Sequence, residues 1–210
     1  MLITCQKIYN CFFMFNKMPS KNHDVFTGNL ILVVGNSGSG KDSIIQGALE
    51  RIPNQYKKPI VPKRYITRPS SKTEKNISIT PKQFKKMVKE NKFALKWHIY
   101  GLYYGIPISV EEALKNGDTV VINVSRKIIK KAKKKYPNVK VVFIKVPLEI
   151  TIERLKQRQR ESKKGIKKRI KRAKKFQVFS HADYIVDNSG KLEDAVNQFL
   201  NYLLKYLKKK

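Results

Sequence analysis

Seven consecutive residues, Gly35-Asn36-Ser37-Gly38-Ser39-Gly40-Lys41, keep the spacing G-x-x-x-x-G-K. Their chemistry is anion capture. Glycines let the backbone curl until successive N–H groups converge on a phosphate, and the lysine adds a mobile ammonium. The run stands between an unbroken apolar stretch, Asn29 to Gly35, and a helical pattern beginning near Lys41. That context makes the motif credible, because the helix start adds its own partial positive charge. A turn without function would explain some of the glycines, but not the lysine together with both flanking elements. The place after the lysine ordinarily carries Ser or Thr, whose hydroxyl ligates Mg²⁺. Here it is Asp42, followed by Ser43. A carboxylate is a hard oxygen ligand, so Asp42 or Ser43 can serve a Mg²⁺ ion.

The elements that position this loop read as an α/β fold, a parallel sheet flanked by helices. Apolar runs suited to buried strands are Asn29 to Gly35, Thr119 to Val124, Lys140 to Val146 and Asp183 to Asp187, with a further strand at Ile60 to Thr67. Helical patterns cover Lys41 to Arg51, a very basic surface segment Lys127 to Lys135, and a long charged stretch from Leu148 to Lys175. A terminal helix carries Leu192, Ala195, Phe199, Leu203 and Leu207 on one face. From Arg68 to Pro107 the rhythm changes to a polar, loop-rich insert with one short helix. Thr80, Pro81 and Gln83 mark its start as a capping box. A second box, Ser109 with Glu112, opens a helix ending near Gly117. There is no internal repeat.

The 210 residues give room for one domain with a small insert. The formal net charge is +31, and Arg126 to Lys210 alone hold 27 basic against 7 acidic residues. Such a field draws anions of every kind. Yet 37 of the 46 bases are Lys and 9 are Arg, whereas sequence-reading nucleic-acid sites favour Arg. No basic-aromatic stacking motif accompanies the charge. A compositional drift toward Lys, with no nucleic acid attached, is the plainer reading. Cys5 and Cys11 form neither a zinc set nor a disulfide framework, which points to a reducing compartment, the cytoplasm. The apolar stretch Cys11 to Phe15 is far shorter than the about 17 residues of a membrane span. Residues 1–27 read as a tail of unknown role, and 28–210 as the domain.

With loop, insert and charged helix in place, the chain resembles the guanylate kinases from about Asn29 to Leu204. Thr67-Arg68-Pro69 matches their T-R-P element, and Gly101-Leu102-Tyr103-Tyr104-Gly105 their G-x-Y-Y-G. Arg154-Leu155, Arg158 and Arg169 match the arginines of their lid, about 154–169. Asp183-Tyr184 with Asn188 matches D-Y-x-x-x-N. Their guanine-reading positions do not match: Leu95, Ile106 and Ser125 stand there, and Asn76 replaces a flap tyrosine. A site built to hydrogen-bond a polar base loses that ability when its polar groups become apolar. The chain is more similar to the ribose 1,5-bisphosphate phosphokinases of phosphonate breakdown. It shares Gly40-Lys41-Asp42-Ser43, Arg64-Tyr65-Ile66-Thr67-Arg68, Trp97-His98 before the G-L-Y-Y-G element, and Asn123, Ser125 and Arg126. It departs from that group at Gln159 and Val124.

The resemblance implies transfer of the γ-phosphoryl group of ATP, with Mg²⁺, to the 1-phosphate of a small phosphosugar. Lys41 and the loop residues Gly35 to Ser43 would hold the donor, with Arg154 and Asn188. Arg158 and Arg169 would close on the transferring group. Arg64, Arg68, His98, Tyr103, Tyr104 and Arg126 are the expected contacts of the acceptor. Plainer readings stand beside these: Tyr103 and Tyr104 as flap core, and His98 as a structural hydrogen-bonding group. Three other functions compete. They are a nucleoside-monophosphate kinase of altered base preference, a catalytically silent binding module, and a nucleic-acid-binding protein. Silent modules typically lose the loop lysine and lid arginines, which are present here. Oligomeric state is not legible.

Overall fold

The structure, a computed structural model, describes residues 25–69, 76–157 and 162–210. The expectations attached to Cys5, Cys11, Arg158 and Gln159 lie outside those residues. Four strands, β1 (Leu30–Gly35), β6 (Val120–Asn123), β7 (Val139–Lys145) and β8 (Tyr184–Asp187), form the main sheet. Its order is β6-β1-β7-β8 and every pairing is parallel. The continuous apolar runs are explained by burial on both faces. Alternate residues Leu30, Leu32, Val34, Ile122, Val141 and Phe143 enter one apolar layer, with Leu114 of α3 (Val110–Lys115) and Ala132 of α4 (Ile129–Lys135). Ile31, Val33, Val121, Val142 and Ile144 enter the other layer. There they meet Ile44 and Ala48 of α1 (Lys41–Glu50) and Ala195, Phe199 and Leu203 of α7 (Leu192–Leu204). The terminal helix thus packs as its period predicts, except that Leu192 at its start is exposed. Phe26, counted with the tail on sequence grounds, is buried with its ring edge-on to Tyr136 at 5.0 Å.

The insert is where sequence and structure part. With the residues just before it, it forms a second four-stranded sheet, ordered β3-β2-β5-β4, with β2 (Tyr65–Ile66), β3 (Ile77–Ser78), β4 (Phe93–Ile99) and β5 (Leu102–Pro107). The expected strand Ile60 to Thr67 is correspondingly broken. Ile60 makes only an isolated bridge to Val120 at the edge of the main sheet, and Pro62, with no N–H to donate, follows it. Tyr65 and Ile66 then join the flap sheet instead. In β4 the solvent-facing Lys96 and His98 disguised a strand whose Phe93, Ala94, Leu95 and Trp97 are buried. Leu95, Trp97 and Ile106 join the core layer beneath α3 and α4. Gly105 is required there, since a Cβ would lie 2.3 Å from the Phe93 ring.

The short insert helix α2 (Pro81–Lys89) has the capping box read from its sequence: Gln83 N–H donates to Thr80 Oγ1 at 3.2 Å, and Thr80 N–H to Gln83 Oε1 at 2.8 Å. Ser109 is a correction, because it is itself helical and makes no side-chain cap. The charged stretch after Leu148 is two helices, α5 (Leu148–Gln157) and α6 (Lys163–Lys175). Ser162 caps the second, accepting from Gly165 N–H at 3.2 Å. The basic segment after Asn123 opens as a 3-10 turn, Arg126–Ile128, before α4. No helix among the described residues is long and apolar enough to cross a membrane.

Candidate active site

The loop leaves β1 at Gly35 and enters α1 at Lys41. Gly40 has φ 81° and no room for a side chain, as a Cβ would lie 2.6 Å from the Asn188 amide nitrogen. That amide, buried at the end of β8, donates to the Ser39 carbonyl at 3.0 Å. Asn188 therefore fixes the curl of the loop. The Lys41 ammonium folds over the loop and donates to the carbonyls of Asn36 (2.8 Å) and Gly35 (3.3 Å) and to Ser39 Oγ (3.2 Å). Asn36 and Ser37 reach the opposite way, toward α6. Asn36 Nδ2 donates to the Phe176 carbonyl at 3.2 Å, and Ser37 Oγ accepts from Arg169.

Loop, flap sheet and α6 enclose a cleft of about 530 Å³. Among the described residues its walls carry six cations, Lys41, Arg64, Arg68, Arg126, Arg169 and Arg172, against a single carboxylate, Asp42. Arg169 is buried, and its guanidinium lies 4.6 Å from the centre of the Tyr100 ring, which joins the flap tip to α6. Tyr100 (φ 55°) and Gly101 (φ 77°) make the two-residue turn between β4 and β5. Both central residues are left-handed, as such hairpin turns require. Burial pushes the Tyr100 phenol up despite Arg172 and Arg169 beside it, so it remains a neutral hydroxyl. Arg126 sits among the rings of Phe143, Phe176 and Phe179, at 5.0, 5.4 and 5.5 Å. Burial, and then repulsion from Arg172, push its guanidinium down to about 10, still a cation at neutral pH.

The structure divides the predicted acceptor contacts. Trp97 pairs with Tyr104 and His98 with Tyr103 across β4 and β5, and alternation puts the two pairs on opposite faces. Trp97 and Tyr104 line the cleft, stacked 5.2 Å apart. His98 and Tyr103 do not line it; their rings meet at 4.5 Å, and Tyr103 stacks on Phe84 of α2 at 5.3 Å. Packing is the reading their surroundings support. We expect Tyr104→Ala to raise the acceptor KM about tenfold and Tyr103→Ala to leave that KM unchanged, each costing about 2–4 kcal/mol of lost ring packing. Steady-state kinetics and thermal melts on the two variants check this split.

Arg154 stands apart from the cleft. With Gly38, Gly40, Ser43, Gln157, Asn188 and Leu192 it lines a second cavity of about 300 Å³ on the other side of the loop. Arg172 and Tyr100, both in the cleft, escaped the sequence reading. Arg172 is three places after Arg169, one helical turn along the same face, and that spacing could have found it. Tyr100 carried no turn signal, because its place usually holds Asn, Asp or Gly.

A phosphate loop at the end of a parallel strand, faced by a flap sheet and an arginine-bearing helix, defines a P-loop kinase. Residues 27–206 match the family model of guanylate kinase. Among curated relatives, the ribose 1,5-bisphosphate phosphokinase PhnN of Pseudomonas paraeruginosa is 36% identical over 84% of this chain and 96% of its own length. The protein of the same name from Psychromonas ingrahamii is 36% identical over 89% of this chain and 92% of its own. The chain belongs to the guanylate kinase family and, within it, to the ribose 1,5-bisphosphate phosphokinases. A solved guanylate kinase from Anaplasma phagocytophilum superposes with a TM-score of 0.62 at 16% identity, covering 88% of this chain and 89% of that one, a likeness of fold.

Proposed function

We infer that the protein moves the γ-phosphoryl group of ATP onto the 1-phosphate of ribose 1,5-bisphosphate, yielding ADP and 5-phosphoribosyl 1-pyrophosphate. The observation that carries this is the character of the cleft. It offers cations on three sides and little with which to read a base. Leu95 and Ile106, at two of the places where guanylate kinases recognise guanine, are 1% and 0% exposed and belong to the core. Ser125, at the third, accepts from Lys127 N–H as a turn cap. Asn76 receives Arg64 Nε at 3.1 Å. A compact acceptor with two phosphates suits such walls better than a nucleoside.

In the proposed reaction an oxygen of the 1-phosphate attacks the γ-phosphorus. The bond from γ-phosphorus to the β,γ-bridging oxygen breaks, and ADP leaves with the electron pair. The nucleophile is already largely ionised, since the second pKa of a phosphate is about 6. A general base is therefore unnecessary, and neither His nor Cys lines the cleft among the described residues. Lys41 turns from its loop carbonyls to the β- and γ-oxygens. Arg169, with Arg172 behind it, neutralises charge on the transferring group. Arg68, Tyr104 and Arg126 face the acceptor. Arg154 lies toward the donor's nucleoside in the second cavity.

Asp42 and Ser43 both line the cleft, and no cluster of three His, Cys, Asp or Glu able to hold a metal occurs among the described residues. One or two protein oxygens completed by phosphates and water suit Mg²⁺. Asp42 or Ser43 would hold the ion, which would supply charge neutralisation to the triphosphate. The test is ADP release from ATP and Mg²⁺ with ribose 1,5-bisphosphate, GMP, AMP or dUMP offered separately. Turnover is expected with the sugar bisphosphate alone. Turnover with a nucleotide and none with the sugar would overturn the assignment.

A further inference from the structure

We propose that Arg64 is a positioning residue for the loop carboxylate. It fixes Asp42 beside the donor phosphates and offsets its charge, and it does not contact the acceptor. The inference rests on reading the site as a kinase that uses ATP with Mg²⁺, and deepens it.

Each of the three guanidinium nitrogens makes a hydrogen bond within the protein. Nε donates to Asn76 Oδ1 at 3.1 Å, Nη1 to the Asn123 carbonyl at 2.9 Å and Nη2 to Asp42 Oδ1 at 3.4 Å. The side chain is 13% exposed. Its fork ties the start of α1 to the end of β6 and the approach to β3. Asn123 Nδ2 also donates to Asp42 Oδ1, at 2.7 Å. Two donors thus converge on one oxygen of Asp42, while among the described residues no hydrogen bond reaches Oδ2. Asp42 lines the cleft, so Oδ2 is the oxygen left to face a cation or its water.

The physical need is plain. A hydroxyl after the loop lysine is neutral, whereas a carboxylate there repels the triphosphate that the loop must gather. A hydrogen-bonded guanidinium offsets that repulsion and stops the carboxylate from swinging onto Lys41. Lysine could supply the charge but not three donors in one plane.

Isothermal calorimetry of ATP with Mg²⁺, without acceptor, tests this on the natural protein, Arg64→Ala, Asp42→Ser and the double variant. Arg64→Ala is expected to weaken ATP about tenfold when Asp42 is kept and less than about twofold in the Asp42→Ser background, the signature of direct coupling. The acceptor KM of Arg64→Ala should stay within about twofold of the natural value. Equal weakening in both backgrounds would overturn the proposal, as would unchanged ATP affinity with a raised acceptor KM. Should Arg64→Ala fail to fold, Arg64→Lys carries the same comparison: a loss that vanishes in the Asp42→Ser background supports the pairing, and one that persists refutes it. The titration omits acceptor, so a wrong acceptor leaves the cycle readable. If the natural protein binds no ATP, the kinase reading falls and this one falls with it.

Discussion

Lys41→Ala is expected to lower phosphoryl transfer about 10³-fold, the scale of losing a charge aimed at the reacting phosphates. The far-UV circular dichroism should not change. The lysine donates to the carbonyls of Gly35 and Asn36 and to the Ser39 hydroxyl, and each of these sits on a loop held independently. Asn188 secures the Ser39 carbonyl from β8, and Phe176 secures the Asn36 side chain from the end of α6. Neither tie needs the ammonium. The variant should therefore keep a cradle of backbone N–H groups and lose the one mobile charge that can follow the γ-phosphoryl group. Retained activity would remove the lysine from the mechanism.

The second large effect is expected at Arg169. Arg169→Ala should cut kcat about 10³-fold, the lower end of what arginines contribute to phosphoryl transfer, with a smaller change in KM. Arg169 is 8% exposed, its guanidinium bonded to Ser37 of the loop and stacked on Tyr100 of the flap tip. It touches both sides of the cleft. Arg169→Lys should restore little, because an ammonium cannot hold the loop hydroxyl and cover the ring while also facing a phosphate. Ser37→Ala is the control: it removes the hydrogen-bond partner and leaves the cation. Single-turnover kinetics beside thermal melts separate the roles. A drop in melting temperature with kcat within about threefold would make Arg169 a strut.

Much of this site could be read from residue order, for reasons the structure makes physical. The phosphate loop was legible because strand, glycines, lysine and helix are contiguous, and the glycines answer to backbone shape, as φ 81° at Gly40 shows. The main sheet was legible because strands buried on both faces leave unbroken apolar runs. The flap sheet was hidden, since Lys96 and His98 break its apolar run and β2 and β3 are two residues each. Its side-chain parity followed from that miss. Once the turn at Tyr100-Gly101 pairs Ile99 with Leu102, Trp97 must oppose Tyr104 and His98 must oppose Tyr103; without the turn, all four looked alike. Arg126 was singled out by resemblance, but its aromatic surroundings could not be seen. Phe143, Phe176 and Phe179 reach it from β7 and from beyond α6. The pairing of Arg64 with Asp42 spans 22 positions and leaves no periodic trace.

Phosphorus NMR of the reaction mixture puts the most direct question to the account. With ATP, Mg²⁺ and ribose 1,5-bisphosphate, the 1-phosphate resonance should give way to a coupled pair of doublets from a sugar diphosphate. The 5-phosphate signal should persist as a single ester, and ADP should grow at the same rate. A sugar bisphosphate spectrum that stays unchanged, while GMP offered in its place becomes GDP, would contradict it.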